Sequence, residues 1–279
     1  PGPSFERFEE DEVDSIRRTR IRFPVREGLV AEGYLLTPKD PKGPGVLCLP
    51  GHGRGVEPMA GFGELDYLNR YAITAARHGW TVLALEMLSF GTRRSEPVPE
   101  NPHESTCHRD SMAALMLGET MAGWRVRDAR AALRVLESLP SVDPDRLAAV
   151  GISGGGTVAL FTAIVDPKVS AVGVSGYFNT FFDSILSVHH CVDNYVPGIL
   201  KLGEMPDLAA AIAPRRFFAE SGILDPIFPL EAFRRACAQM QEVYAAHGHP
   251  DHFAFEVFEN DHVFHGHGMF AQFDRWLGG

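Results

Sequence analysis

The chain has 279 residues, 45% of them hydrophobic and 22% charged, with a formal net charge of −10 and a pI near 5.6. That length can bury a large core within one α/β domain. An acidic balance, with basic residues only in pairs such as Arg17-Arg18 and Arg93-Arg94, argues against a nucleic-acid or anionic-membrane surface.

In chain order, the acid-rich residues up to Asp14 predict a surface helix or arm over 1–15. Thr19, Ile21, Phe23 and Val25 fall on one face of an alternating run, and the apolar stretch from Leu29 to Leu36 follows a Glu27-Gly28 turn, so an antiparallel entry hairpin is expected. A strand over 45–50, a helix over 65–79 and a strand over 81–85 come next. The Pro-rich 87–107 stretch reads as a long loop. Beyond it, helical sequence runs to Leu139, with Val126, Ala129, Leu133 and Leu136 at helical spacing and Pro140 as the stop. A strand over 147–150, a helix over 156–165 and a strand over 169–175 continue the alternation. Strands alternating with helices predict a mainly parallel sheet covered on both faces, in one domain over 1–279.

The segment 176–207 breaks this rhythm, being too long for a tight connection and too apolar for a solvated one. It is expected to form a small cap or lid, with Tyr177, Phe178, Phe181, His189 and His190 lining a substrate pocket; plain packing against the domain edge is the alternative. The 87–107 loop is placed at the same rim.

The most telling stretch is Gly151-Ile152-Ser153-Gly154-Gly155, a G-x-S-x-G between an apolar strand and an apolar helix. In that setting it reads as a nucleophile elbow that presents Ser153 to substrate. Gly-rich turns also hold phosphates, but no G-x-G-x-x-G opens a first βαβ unit and no G-x-x-x-x-G-K-[ST] occurs. Two further strand-like segments follow, over 216–220 and 253–258. Asp225 sits in the loop after the first and His262 in the loop after the second, so the order Ser153, Asp225, His262 is that of an α/β-hydrolase triad.

A serine hydroxyl needs a base to take its proton, and the base needs a carboxylate to fix its tautomer. His262 is favoured as that base over His249, His252, His265 and His267 because it follows its strand at the expected point. Asp261 is set aside because adjacent side chains rarely face each other, and Asp183 and Asp193 because they precede the acid-bearing strand. For the oxyanion, the backbone N–H of Gly154 is one expected donor. The N–H of His52, with Gly53 as the near alternative, is the other, in the Gly51-His52-Gly53-Arg54-Gly55 loop after the strand over 45–50. The His52 side chain is expected to be structural or to line the pocket.

The clusters His103, Glu104, Cys107, His108 and His189, His190, Cys191, Asp193 contain metal-ligand types, yet neither has H-x-x-x-H or paired C-x-x-C spacing, so no metal is expected. Cys48, Cys107, Cys191 and Cys237 lack framework spacing, which points to free thiols and a cytoplasmic setting. No apolar run approaches the roughly 20 residues of a membrane span. The first residues lack the pattern of an export signal, although a removed one would leave no trace.

Pro50-Gly51-His52-Gly53, Phe90-Gly91-Thr92-Arg93, Val142-Asp143 before Arg146, the elbow, Ser221-Gly222-x-x-Asp225 with Phe228-Pro229, and Asp261-His262-x-Phe264-His265-Gly266 together resemble the dienelactone hydrolase and acetyl xylan esterase-like branch of the α/β-hydrolases. The likeness spans nearly the whole chain. It implies an α/β-hydrolase fold, a small-molecule ester substrate, and no metal or organic cofactor. Dienelactone hydrolases proper carry a cysteine nucleophile, and Ser153 moves the expectation to serine esterases that act on short acyl groups such as acetyl. The rivals are a peptidase of prolyl-oligopeptidase type and a non-hydrolytic lyase or binding module on the same fold.

Overall fold

Nine strands join in one sheet in the computed structural model, which describes residues 3–95 and 105–278. They are β1 (Glu6–Val13), β2 (Ile16–Arg26), β3 (Leu29–Pro38), β4 (Gly43–Leu49), β5 (Thr81–Leu85), β6 (Val142–Ile152), β7 (Val169–Ser175), β8 (Arg216–Gly222) and β9 (Phe253–Phe258). Their spatial order is β1-β2-β3-β5-β4-β6-β7-β8-β9. The first three pair antiparallel and β3 meets β5 antiparallel; from β5 to β9 every pairing is parallel.

The helices are α1 (Tyr71–Arg77), α2 (Cys107–Met116), α3 (Met121–Glu137), α4 (Gly154–Val165), α5 (Met205–Ala209), α6 (Leu230–Ala246) and α7 (His267–Leu277). Alternation along the strands sorts side chains to the two sheet faces. Val46, Cys48, Val82 and Ala84 enter one buried cluster with Tyr71, Ala75, Phe270 and Phe273 of α1 and α7. Leu47, Leu49, Leu83 and Leu85 enter the other with Leu133, Leu136, Val158, Ala159, Phe233 and Met240 of α3, α4 and α6. Burial on both faces is why these strands are apolar throughout rather than every second residue.

Several elements depart from expectation. The acid-rich N-terminal segment is neither helix nor loose arm: it is β1, an edge strand held to β2 by the Arg18–Asp11 ion pair at 2.5 Å and by Thr19 donating to Glu10 at 3.0 Å. The helix expected over 65–79 shrinks to α1 because Asn69 and Arg70 take left-handed φ values of 51° and 50°, which no α-helix continues. The helical run to Leu139 is two helices. Gly118, at φ 73°, ends the first, and Thr120 caps the second by accepting from Gly123 N at 3.1 Å.

The consequence for chemistry is positional. β4, β6, β8 and β9 run parallel in the sheet's second half, with β7 between β6 and β8, so the loops after their carboxyl ends carry His52, Ser153, Asp225 and His262 to one rim.

Candidate active site

Ser153 joins β6 directly to α4 with φ 54° and ψ −123°, a conformation that non-glycine residues rarely adopt. Its neighbours hold it there: Ser153 N donates to Ser175 O on β7 at 2.9 Å, and Ser153 O accepts Thr157 N at 2.9 Å as the first bond of α4. The turn closes only because its flanks lack side chains. A Cβ on Gly155 would lie 1.9 Å from Leu49 O, and one on Gly151 would lie 2.2 Å from Gly155 O. Gly154 is the first residue of α4, so its N–H has no intrahelical acceptor and stands at the positive end of the helix dipole.

On one side of Ser153, His262 Nδ1 lies 2.7 Å from Asp225 Oδ2. The Asp225 side chain is 1% exposed. Its other oxygen accepts the amides of Ile227 at 2.9 Å and Phe228 at 3.0 Å, which fixes the carboxylate before it meets the imidazole. The ring of His262 lies between Tyr67 and Phe228, stacked at centroid distances of 6.2 and 5.7 Å. Ser153 and His262 line the same cavity, while no hydrogen bond joins them among the described residues. Such bonds commonly tighten only when substrate is bound.

Glu220, which the sequence reading missed, braces the His262 loop from below. Wholly buried on β8, its carboxylate accepts His265 N at 3.0 Å and Gly266 N at 3.0 and 3.1 Å. Burial pushes its pKa up to about 7, with the amides and Ser175 opposing. Glu86 does the same for the loop after β4. Its carboxylate accepts Val56 N at 3.1 Å, a Cβ on Gly55 or Gly91 would run into it, and burial drives its pKa up to about 8. Tyr67 ties the two loops together, donating its hydroxyl to His52 O at 2.7 Å and accepting Phe264 N on its carbonyl at 2.8 Å.

On the other side of Ser153, the His52 ring lies over Gly154, where an added Cβ would sit 2.7 Å from Nδ1. His52 Nε2 is 2.9 Å from Asp193 Oδ2, and the same carboxylate pairs with Arg125, which is 2% exposed. Burial pulls the His52 pKa down, and the Asp193 charge more than offsets it, lifting it to about 9. Burial likewise opposes charge on Asp193, but His52 and Arg125 hold its carboxyl far below the usual range. Asp193, set aside as an acid for His262, is therefore the partner of a second histidine. Arg125 had no local sequence signal, and Asp193 only its Cys191-Val192-Asp193 spacing.

The cavity between the two histidines measures about 420 Å³ and is lined by Tyr67, Ser153, Gly154, His189, His190, Cys191, Asn194, Ile227 and Phe228 as well as His52 and His262. His189 and His190, expected as pocket lining, line this cavity. Tyr177, Phe178 and Phe181 do not. They are 1%, 1% and 3% exposed in the core, because the chain turns inward after Gly176, at φ 51°, and packs Tyr177 on Phe228 and Phe178 on Phe217. Of the other histidines weighed, His265 lies 3.3 Å from Glu256, and His249 stacks on His252. His103 and Glu104, of the first ligand-type cluster, lie outside the described residues.

Residues 31–187, more than half of the chain, match the model of the dienelactone hydrolase family. YtaP of Bacillus subtilis (strain 168), assigned as a hydrolase, is 28% identical over 231 residues that cover 79% of this chain and 74% of YtaP. Among solved structures, a Bacteroides fragilis NCTC 9343 protein assigned as an acetyl xylan esterase superposes with a TM-score of 0.77 at 21% identity, over 92% of this chain and 70% of that one. A glucuronoyl esterase from Solibacter usitatus gives a TM-score of 0.72 at 13% identity, over all of this chain and 87% of the other. At such identities the structures speak for the fold alone, which is that of the α/β-hydrolases. No helix among the described residues is long and apolar enough to cross a membrane.

Proposed function

Because the chain belongs to the dienelactone hydrolase family, we propose that it is a serine carboxylic-ester hydrolase working through an acyl-enzyme at Ser153. The observation that carries this reading is the strained serine at the start of α4, opening on one cavity with an imidazole already paired to a buried carboxylate.

Ser153 Oγ attacks the ester carbonyl as His262 Nε2 takes its proton, and Asp225 stabilises the imidazolium without accepting the proton itself. The carbonyl oxygen, now negative, collects the backbone N–H groups of Gly154 and His52, each worth about 3 kcal/mol to the transition state. His262 then protonates the departing alkoxide. In the second half, water attacks the acyl carbon while His262 accepts its proton, and collapse returns Ser153 with release of the carboxylic acid. No step needs a cofactor.

The cavity volume of about 420 Å³ suits a small substrate and favours short acyl groups such as acetyl. The ester-directed assignments of the B. fragilis and S. usitatus proteins agree in reaction type. The test is a series of p-nitrophenyl esters from acetyl to octanoyl beside peptide p-nitroanilides. Turnover highest for acetyl, and absent for the anilides, is expected; anilide hydrolysis exceeding ester hydrolysis would make the protein a peptidase instead.

A further inference from the structure

Four potential ligand side chains from three separated segments meet beside the catalytic cavity. His52 comes from the loop after β4, Cys107 is the first residue of α2, and Cys191 and Asp193 lie two apart in the segment after β7. One ligand atom from each, an imidazole nitrogen, two sulfurs and a carboxylate oxygen, lies within 4.8 Å of all the others. The two cysteines are free, and Cys107 is buried. We propose that these four residues form a binding site for one zinc ion.

The donor set selects the metal. Thiolate with imidazole and carboxylate is the chemistry of zinc, whereas calcium and magnesium take oxygen alone. The charge also balances: a divalent ion and the Arg125 guanidinium offset two thiolates and one carboxylate. Arg125 stands where an outer-shell donor belongs, since Nη2 lies 3.5 Å from Cys107 Sγ while the guanidinium also pairs with Asp193. Asn194 holds the remaining Asp193 oxygen by donating Nδ2 to Oδ1 at 3.0 Å. Where His52 Nε2 and Asp193 Oδ2 now share a proton at 2.9 Å, the ion takes its place, so loading releases protons.

Four protein ligands leave no open position, which marks a structural ion rather than one that activates water. Its effect is to pin the 191–194 segment and the start of α2 to the donor loop beside the cavity that Cys191 and Asn194 line. The site stands apart from the ester-hydrolase reading, because its test needs no substrate.

The experiment is metal analysis of the full chain, purified without a histidine tag and dialysed against a weak chelator, followed by exchange with Co²⁺ as an optical probe. The expected result is about one zinc per chain, with a near-ultraviolet thiolate-to-cobalt charge-transfer band in the exchanged protein. In a Cys107→Ser/Cys191→Ser variant, zinc content and that band are lost while Cys48 and Cys237 remain. A wild type that keeps no zinc, or that binds Co²⁺ without the thiolate band, overturns the proposal, and this arm holds even if the double variant does not fold. A folded double variant that retains its zinc overturns it as well.

Discussion

Asp225 divides its two oxygens between roles: Oδ2 meets His262 Nδ1 at 2.7 Å, and Oδ1 is fixed by the amides of Ile227 and Phe228. The carboxylate is therefore oriented by its own loop, and the imidazole takes its direction from it. Replacing Asp225 by Asn keeps the shape and the anchoring amides. It puts an N–H opposite Nδ1, however, so Nδ1 must accept and Nε2 carries the proton it should receive from Ser153. The expected result for Asp225→Asn is a fall in kcat for p-nitrophenyl acetate of roughly 10³ to 10⁴, with a thermal midpoint close to wild type. A loss below tenfold in a folded variant would remove Asp225 from the relay.

The glycines around Ser153 separate folding from function. Gly155→Ala drives a methyl against the backbone oxygen of Leu49, which cannot yield without opening the junction of α4 with β4. We expect destabilisation of about 3 kcal/mol or more, seen as insoluble protein or a large drop in denaturation midpoint. At Gly154 the atoms nearest the added methyl all belong to the His52 ring. Gly154→Ala should fold, yet lose ester turnover because the ring and the loop that carries it are displaced. Equal stability of the two variants would contradict this division.

Glu86 gives a pH signature. Its pKa is raised from 4.5 to about 8, so the folded state holds the proton more tightly than the unfolded chain does. Its stabilising contribution is complete below pH 4.5 and is lost as pH climbs through 8. Glu220, raised to about 7, acts in the same direction over a narrower window. Glu86→Gln keeps an acceptor for Val56 N and cannot ionise. The variant should lie close to wild type near pH 5 and exceed it near pH 9, by roughly 4 kcal/mol in chemical denaturation. A difference that stays constant across that range would mean the carboxyl is not titrating there.

Much of the site was legible because its parts follow local rules. An apolar strand, a Gly-Ser-Gly turn and an apolar helix place Ser153, and the strand-then-loop pattern places Asp225 and His262 at the same end of parallel strands. What escaped was non-local or masked by charge. β1 carries Glu, Arg and Asp on both faces and so shows no alternation, because it is the sheet's edge strand, exposed along almost its whole length and paired only with β2. Tyr177 and Phe178 read as pocket lining from their aromatic character, but the left-handed turn at Gly176 sends them into the core. The His52–Asp193–Arg125 chain joins residues 141 and 68 positions apart, a distance over which spacing has no meaning. Glu86 and Glu220 look like ordinary strand-end acids until the amides they accept are seen.

The most direct test of the account is reaction of the purified protein with a fluorophosphonate, read by intact mass and peptide mapping. Wild type should gain one phosphonyl adduct, on Ser153, with parallel loss of p-nitrophenyl acetate turnover, and Ser153→Ala should gain none while retaining its fold. An adduct mapped to another residue, or undiminished ester turnover by Ser153→Ala, would contradict it.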